Sequence, residues 1–313
     1  VELAMKVNQL KYFLAIVEAG SLSAAAQNLG VAQPALSQHI ANLEHELEVL
    51  LLERSPRGVS STPAGDLLYE HARTIMRQFE RAESDVRHLG HSPSGEIVVV
   101  VAASVAQIVA PSLAREVAER LPEVNLLIQE GMSINLARLV ESGRADLAFV
   151  PSAILPSGVE SEQIMTEDLA LGGARGEEGD SHGPIDFEEA CRFPLVLPSL
   201  PHYVRNSLEQ VAFDQGVRLN IKAEQDSPRL LPRLVASGYA YSILPENGFF
   251  EDQKLDGIFT RRIAKPDISR SLHIIWAKAA SQDRLTVEVK SVMREVITAL
   301  SISGHLRGSL KIG

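Results

Sequence analysis

Five side chains between residues 21 and 47, in the stretch SLSAAAQNLGVAQPALSQHIANLEHEL, have the type and spacing to read a surface: Gln33, Pro34, Ser37, Gln38 and Asn42. At about 100° per residue, Pro34, Gln38, Ala41 and His45 share one helix face, flanked by Ser37 and Asn42. Leu36, Ile40, Leu43 and Leu47 form the opposite, apolar stripe. Short donors and acceptors on an outward helix face can hydrogen-bond base edges in a major groove. An ordinary solvated face carries the same residue types, so the pattern alone leaves both readings open. Glu44, Glu46 and Glu48 come one to two turns later, on the part of the helix that would leave such a groove.

Other chemistry finds little support. A Gly-x-Ser-x-Gly elbow, a nucleotide-binding glycine loop and a His pair at ligand spacing are all missing from the sequence, so neither a catalytic site, a cofactor nor a metal is expected. The single cysteine, Cys191, cannot form a disulfide within one chain and reads as a packing thiol, in keeping with a reducing compartment. With 313 residues and 45% hydrophobic content the chain can fill two or three domains. Its formal charge of −10 excludes a polycationic coat, so any nucleic-acid contact must be local. A charged start leading into an apolar export core is lacking, as is an uninterrupted apolar run of membrane-spanning length. A cytoplasmic chain with no membrane partner is expected.

The elements that must position those five side chains can be read from periodicity. Leu10, Phe13, Leu14 and Val17 mark a first helix ending near Gly20. Ser21 caps a second, carrying Leu22, Ala25, Ala26 and Leu29 and stopped by Gly30. Pro34 opens a third at its first position. Two helices joined by a tight glycine-bearing turn, about 22–46, match a helix-turn-helix. "LLERSPRGVSST" adds a turn with Arg54 and Arg57, read as a wing over about 52–62. Thr62-Pro63 caps the next helix, 63–90, where Leu68, Ala72, Ile75, Phe79, Ala82, Val86 and Leu89 recur at heptad spacing and imply lengthwise pairing with a second copy. Packing of that stripe on the rest of the chain is the competing reading. "GHSPSG" ends the helix, with a hinge at 91–95. Beyond it, strands "IVVVVAA", "VNLLIQE" and "DLAFV" alternate with helices. A second such unit follows with "PLVLP", a helix at 203–215, "RLLPRLVASG" and "YSILP". The expected class is α plus α/β, with a cleft between two α/β units at the strand ends.

"LKYFLAIVEAGSLSAAAQNLGVAQPALSQHIANLEHELEVLLLERSPRGVSSTPAG" resembles, almost continuously, the LysR-type transcriptional regulators, and "ASGYAYSILP" continues the likeness more loosely. "AQPALSQ" and "YEHARTIMRQ" are most similar to the nitrogen-assimilation-control branch. The chain departs from the family at Glu48, Leu50 and Leu52, where Gly, Pro and Phe are usual, which bears on how the wing approaches DNA. The resemblance implies a winged helix-turn-helix at 5–62, a dimerising linker helix, and a periplasmic-binding-protein-like effector domain at 96–303. Its first subdomain would take about 96–166 and 267–303, its second about 167–266. DNA contact would fall to Ser23, Gln33, Pro34, Ser37, Gln38, Asn42, Arg54, Arg57 and Thr62. Dimerisation would fall to Leu68, Ala72, Ile75, Phe79, Ala82 and Val86. Ser104, Ser133, Ser199, Pro201 and His202 would line the effector crevice.

The implied function is a sequence-specific regulator, dimeric or tetrameric, bound to an interrupted inverted repeat in a promoter. A small anionic effector would modulate it, and RNA polymerase would be a partner if it activates. Residues 5–62 hold four Lys and Arg against five Glu, a net charge of −1, which is poor in positive charge for a DNA-binding module. Helix N-termini, backbone N–H groups and hydroxyls must then carry much of the phosphate contact. The rivals are a solute-binding protein with an N-terminal helical extension, which needs an export signal, and an α/β enzyme, which needs a catalytic cluster.

Overall fold

A computed structural model of the chain describes residues 5–55, 58–87, 92–131, 133–151, 155–249 and 257–311. Its contacts divide it into two compact units, Val1–His91 and Ser92–Gly313.

In the first unit, α1 (Val7–Ala19), α2 (Leu22–Leu29) and α3 (Gln33–Leu47) precede β1 (Leu52–Ser55), β2 (Gly58–Ser61) and α4 (Pro63–Arg87). Ser21 caps α2 by accepting from the Ala24 N–H, and Gly20 and Gly30 end α1 and α2 in the left-handed conformation. Phe13, Ile16, Ala25, Leu36, Ile40, Leu43 and Leu51 are buried together as the core. Leu47, expected in the buried stripe of α3, is more than a third exposed at the last residue of the helix. Pro34 is the second residue of α3, not the first.

Strands β1 and β2 form an antiparallel hairpin. The hairpin is tied to the helices at Gly20, whose carbonyl accepts from the Val59 N–H at 2.8 Å. A Cβ on Gly58 would come within 2.6 Å of that same oxygen, so the approach requires glycine.

The second unit contains β3 (Gly95–Ala102), α5 (Ala103–Arg120), β4 (Val124–Gly131), α6 (Ser133–Glu141), β5 (Leu147–Pro151) and β6 (Val159–Ala174). It continues with β7 (Ile185–Asp186), α7 (Phe187–Ala190), β8 (Leu195–Leu197), α8 (Tyr203–Gln215), β9 (Ile221–Glu224), α9 (Leu230–Ala236) and β10 (Ser242–Pro245). A 3₁₀ turn at Glu246–Phe249, then β11 (Ile258–Ala264), β12 (Ser269–Ala277), α10 (Arg284–Ile302) and β13 (Ser309–Leu310) complete it. Strands β4, β3 and β5 run parallel, and β12 pairs antiparallel with both β5 and β6.

Two cores result. One is built on β3, β5, α5, β12 and α10, the other on β8, α8, β10 and the far half of β6. Strand β6 belongs to both: it pairs with β12 over Val159–Asp168, then with β10 and β11 over Leu169–Ala174. The packed body also runs past residue 303, because Leu306 is buried in the first core and β13 pairs with Met165 and Thr166 of β6. Cys191 is buried in the second core, where burial pushes its thiol up to about 11. Among the described residues, no helix is long and apolar enough to cross a membrane.

Candidate nucleic-acid interface and effector cleft

Pro34, Gln38, Ala41, Asn42 and His45 are all exposed on α3, opposite the buried Leu36, Ile40 and Leu43. The polar groups around this face are joined in pairs. The Ser23 hydroxyl donates to Gln33 Oε1 at 3.0 Å, Gln38 Nε2 donates to Asn42 Oδ1 at 2.8 Å, and Arg54 Nη1 donates to Ser37 Oγ at 3.1 Å. Residues from α2, α3 and the hairpin thus converge on one polar surface, and its exposed hydrogen bonds can be exchanged for others at little cost. The residue before α3 is Ala32, whose side chain caps nothing, so the first-turn N–H groups of α3 keep their partial positive charge for an anion.

The acids of α3 serve the fold. Glu44 Oε1 accepts from the backbone N–H groups of Leu51 and Leu52 at 2.8 and 3.1 Å and so fixes the root of the hairpin. Glu46 accepts from Gln9 Nε2 at 3.3 Å, and Glu48 ends the helix in the left-handed conformation. The Thr62 hydroxyl accepts from the Gly65 N–H at 3.0 Å and donates to the Leu50 carbonyl at 2.7 Å. It is committed to starting α4. Arg57 lies outside the described residues.

The heptad stripe of α4 divides. Leu68 is partly buried against the helix-turn-helix core and Ala72 is fully buried, so those two help hold α4 to its own unit. Ile75, Phe79 and Val86 are 41%, 46% and 80% exposed, and Ala82 is exposed too.

In the second unit a cleft, partly open to solvent, lies between the two cores. Ser104, Gln107 and Ile108 of α5 form one wall. His202, Gln225, Asp226 and Ser227 form the other, with Asn247 and Arg270 at the base. The Arg270 guanidinium donates from Nη2 to Ser104 Oγ at 2.9 Å and from Nε to Glu167 Oε2 at 2.5 Å. Glu167 and Arg270 face each other directly across β6 and β12, and their side chains are 1% and 2% exposed.

His202 lines the cleft and begins α8, its Nδ1 accepting from the Val204 N–H at 3.2 Å. Burial, and then the charge of Arg270, hold its pKa below the ordinary histidine value. Asp226 accepts from the Ser199 hydroxyl and N–H at 2.7 and 2.8 Å, bonds that hold its carboxyl below the usual range.

Comparison with known proteins matches residues 7–66 to the family model "Bacterial regulatory helix-turn-helix protein, lysR family" and residues 90–298 to the "LysR substrate binding domain". The chain is 32% identical to the nitrogen assimilation regulatory protein nac of Klebsiella aerogenes over 96% of its own length and 98% of that protein's. The chain belongs to the LysR family. It is accordingly a DNA-binding transcriptional regulator with an effector-binding domain, and the solute-binding-protein reading is not favoured. Among solved folds, a full-length OxyR variant from Pseudomonas aeruginosa superposes with a TM-score of 0.71 at 21% identity, covering 95% of this chain and 96% of that one. Full-length CbnR complexed with its target DNA gives 0.67 at 24%, covering 93% and 100%. LysR regulators bind DNA and small-molecule effectors and form oligomers.

Of the crevice residues the LysR resemblance implies, Ser104 and His202 line the cleft. Ser104 differs from a helix cap: Ala102 precedes α5 without a side-chain cap, and the Ser104 hydroxyl meets Arg270 instead. Ser199 is set behind Asp226, its hydroxyl engaged by that carboxylate, and Pro201 is exposed outside the lining. Ser133 begins α6, and its side chain lies outside the described residues.

Sequence reasoning missed Arg270, Glu167 and Asn247. A usable signal existed for one of them: Arg270 alternates with Leu272 and Ile274 on the inward register of β12, where an arginine must find a partner. Among the described lining residues Arg270 is already balanced by Glu167, His202 is held toward neutrality, and Asp226 carries a full negative charge.

Proposed function

We propose that the α3 face reads bases and that Arg54 follows the DNA backbone, while a small molecule in the cleft changes how paired copies sit on their operator. The observation that carries the reading is the polar surface of Ser23, Gln33, Ser37, Gln38, Asn42 and Arg54, three hydrogen-bonded pairs contributed by α2, α3 and the hairpin. Exposed Ile75, Phe79, Ala82 and Val86 supply the seam between copies, giving a dimer or a pair of dimers on an interrupted inverted repeat. RNA polymerase is the partner if the protein activates, and the cytoplasm is its place.

A gel shift on the gene's own upstream region tests the readout. Gln38→Ala should lose about 1–3 kcal/mol on a cognate site and much less on random DNA. Equal losses on both would remove Gln38 from base reading.

A further inference from the structure

Arg270 looks at first like an anion receptor, since it is a buried guanidinium at the base of a cleft, beside a hydroxyl and the start of an 18-residue helix. Its surroundings reverse that reading. Glu167 stands directly opposite on the neighbouring strand, with its Oε2 2.5 Å from Arg270 Nε, and Asn247 Nδ2 donates to its other oxygen. All three are at least nine-tenths buried. The pair is therefore neutral as a unit, and neither partner can leave without stranding the other's charge, which costs several kcal/mol.

Around this neutral base, the described lining residues supply one full charge, the carboxylate of Asp226. The uncapped start of α5 offers at most about half a positive charge. Burial and Arg270 both disfavour a charged His202. A simple anion entering the cleft would meet a net negative field in a partly desolvated space. By contrast, a molecule with an acceptor toward Ser104 and the α5 start, and a donor or positive group toward Asp226, would find a partner at each end.

We propose that Glu167 sets the charge class of the effector: by neutralising Arg270 at the base of the cleft it selects a neutral or zwitterionic polar molecule and shuts out simple anions. The inference rests on the cleft being the effector site.

Inorganic phosphate and acetate serve as probes of the full-length protein, followed by thermal shift and by chemical-shift changes at cleft residues. The wild-type protein should show no saturable response to either. Glu167→Gln uncovers the Arg270 charge and should bring a gain in anion affinity of about tenfold or more, the size of a 1.4 kcal/mol change. That gain should vanish in the double variant Glu167→Gln, Arg270→Met. Glu167→Asp keeps the charge and should gain nothing.

Because Glu167→Gln disturbs a buried pair and can unfold the unit, Gln107→Lys provides a second arm. It adds an uncompensated cation to the partly exposed α5 wall and should confer the same anion binding on a folded protein. Wild-type cleft binding of phosphate or acetate as tight as that of the variants would overturn the proposal, as would folded variants that gain no anion. A metabolite whose regulatory effect survives cleft substitutions would instead overturn the cleft as effector site, while the anion results still judge the role of Glu167.

Discussion

Glu44 shows how a single residue can carry opposite signs at two levels. As a negative charge on the helix proposed to read DNA, it should weaken binding through simple electrostatics. As the acceptor for the Leu51 and Leu52 N–H groups, both on buried residues, it holds the hairpin that brings Arg54 to Ser37. Leaving a buried donor unsatisfied costs about 1–3 kcal/mol. Glu44→Ala is therefore expected to lower the unfolding free energy of the first unit by that order and to weaken DNA binding, despite making the unit less negative. Urea unfolding and a gel shift check it together. Tighter DNA binding at unchanged stability would mean that the acid acts only through its charge.

At the scale of the element, the stripe of α4 divides between a packed start and an exposed remainder. Its first turns must lie close to the hairpin root: a Cβ on Gly65 would come within 2.1 Å of the Leu51 carbonyl oxygen, and Ala72 is fully buried. Farther along, Ile75, Phe79, Ala82 and Val86 are exposed, and they are the positions proposed as the seam between copies. Phe79→Asp tests the seam. In a single copy the position is half exposed and accepts a carboxylate, whereas in an apolar seam the carboxylate must be desolvated. The variant is expected to retain its fold by circular dichroism, to run as a smaller species in sedimentation, and to lose operator binding. An unchanged oligomer would send the stripe's partner elsewhere.

Over the whole second unit, the two cores are joined by the crossing strands and by a clasp near the C-terminus. Asn247, beside β10 of the second core, donates from Nδ2 to the Arg307 carbonyl at 2.7 Å and accepts from the Arg307 N–H at 2.8 Å. The Arg307 side chain also pairs with Glu246. The same Asn247 amide reaches Glu167, so one side chain links the cleft base to the C-terminal segment that follows Leu306 of the first core. Asn247→Ala is expected to speed amide exchange at Arg307, and at Lys311 whose N–H donates to the Ile164 carbonyl, while β3 stays protected. Exchange at Arg307 that stays as slow as in the wild type would show that the clasp holds nothing.

What the sequence determined by itself was whatever local periodicity encodes. Helical spacing separated Leu36, Ile40 and Leu43 from Gln38 and Asn42, the capping serine and paired glycines placed the first helices, and continuous apolar runs marked β3 and β5 as buried strands. Strand β6 had no such mark, because Glu160, Glu162, Glu167 and Asp168 break its apolar pattern. It is a strand because β12, β10 and β11 pair with it. The base of the cleft was likewise beyond local reading. Glu167 and Arg270 stand 103 positions apart, and Ser104 and Arg270 stand 166 apart. A charge is tolerated in the interior only when its partner is brought beside it, and that meeting is decided by strand register, which exists only in the folded chain.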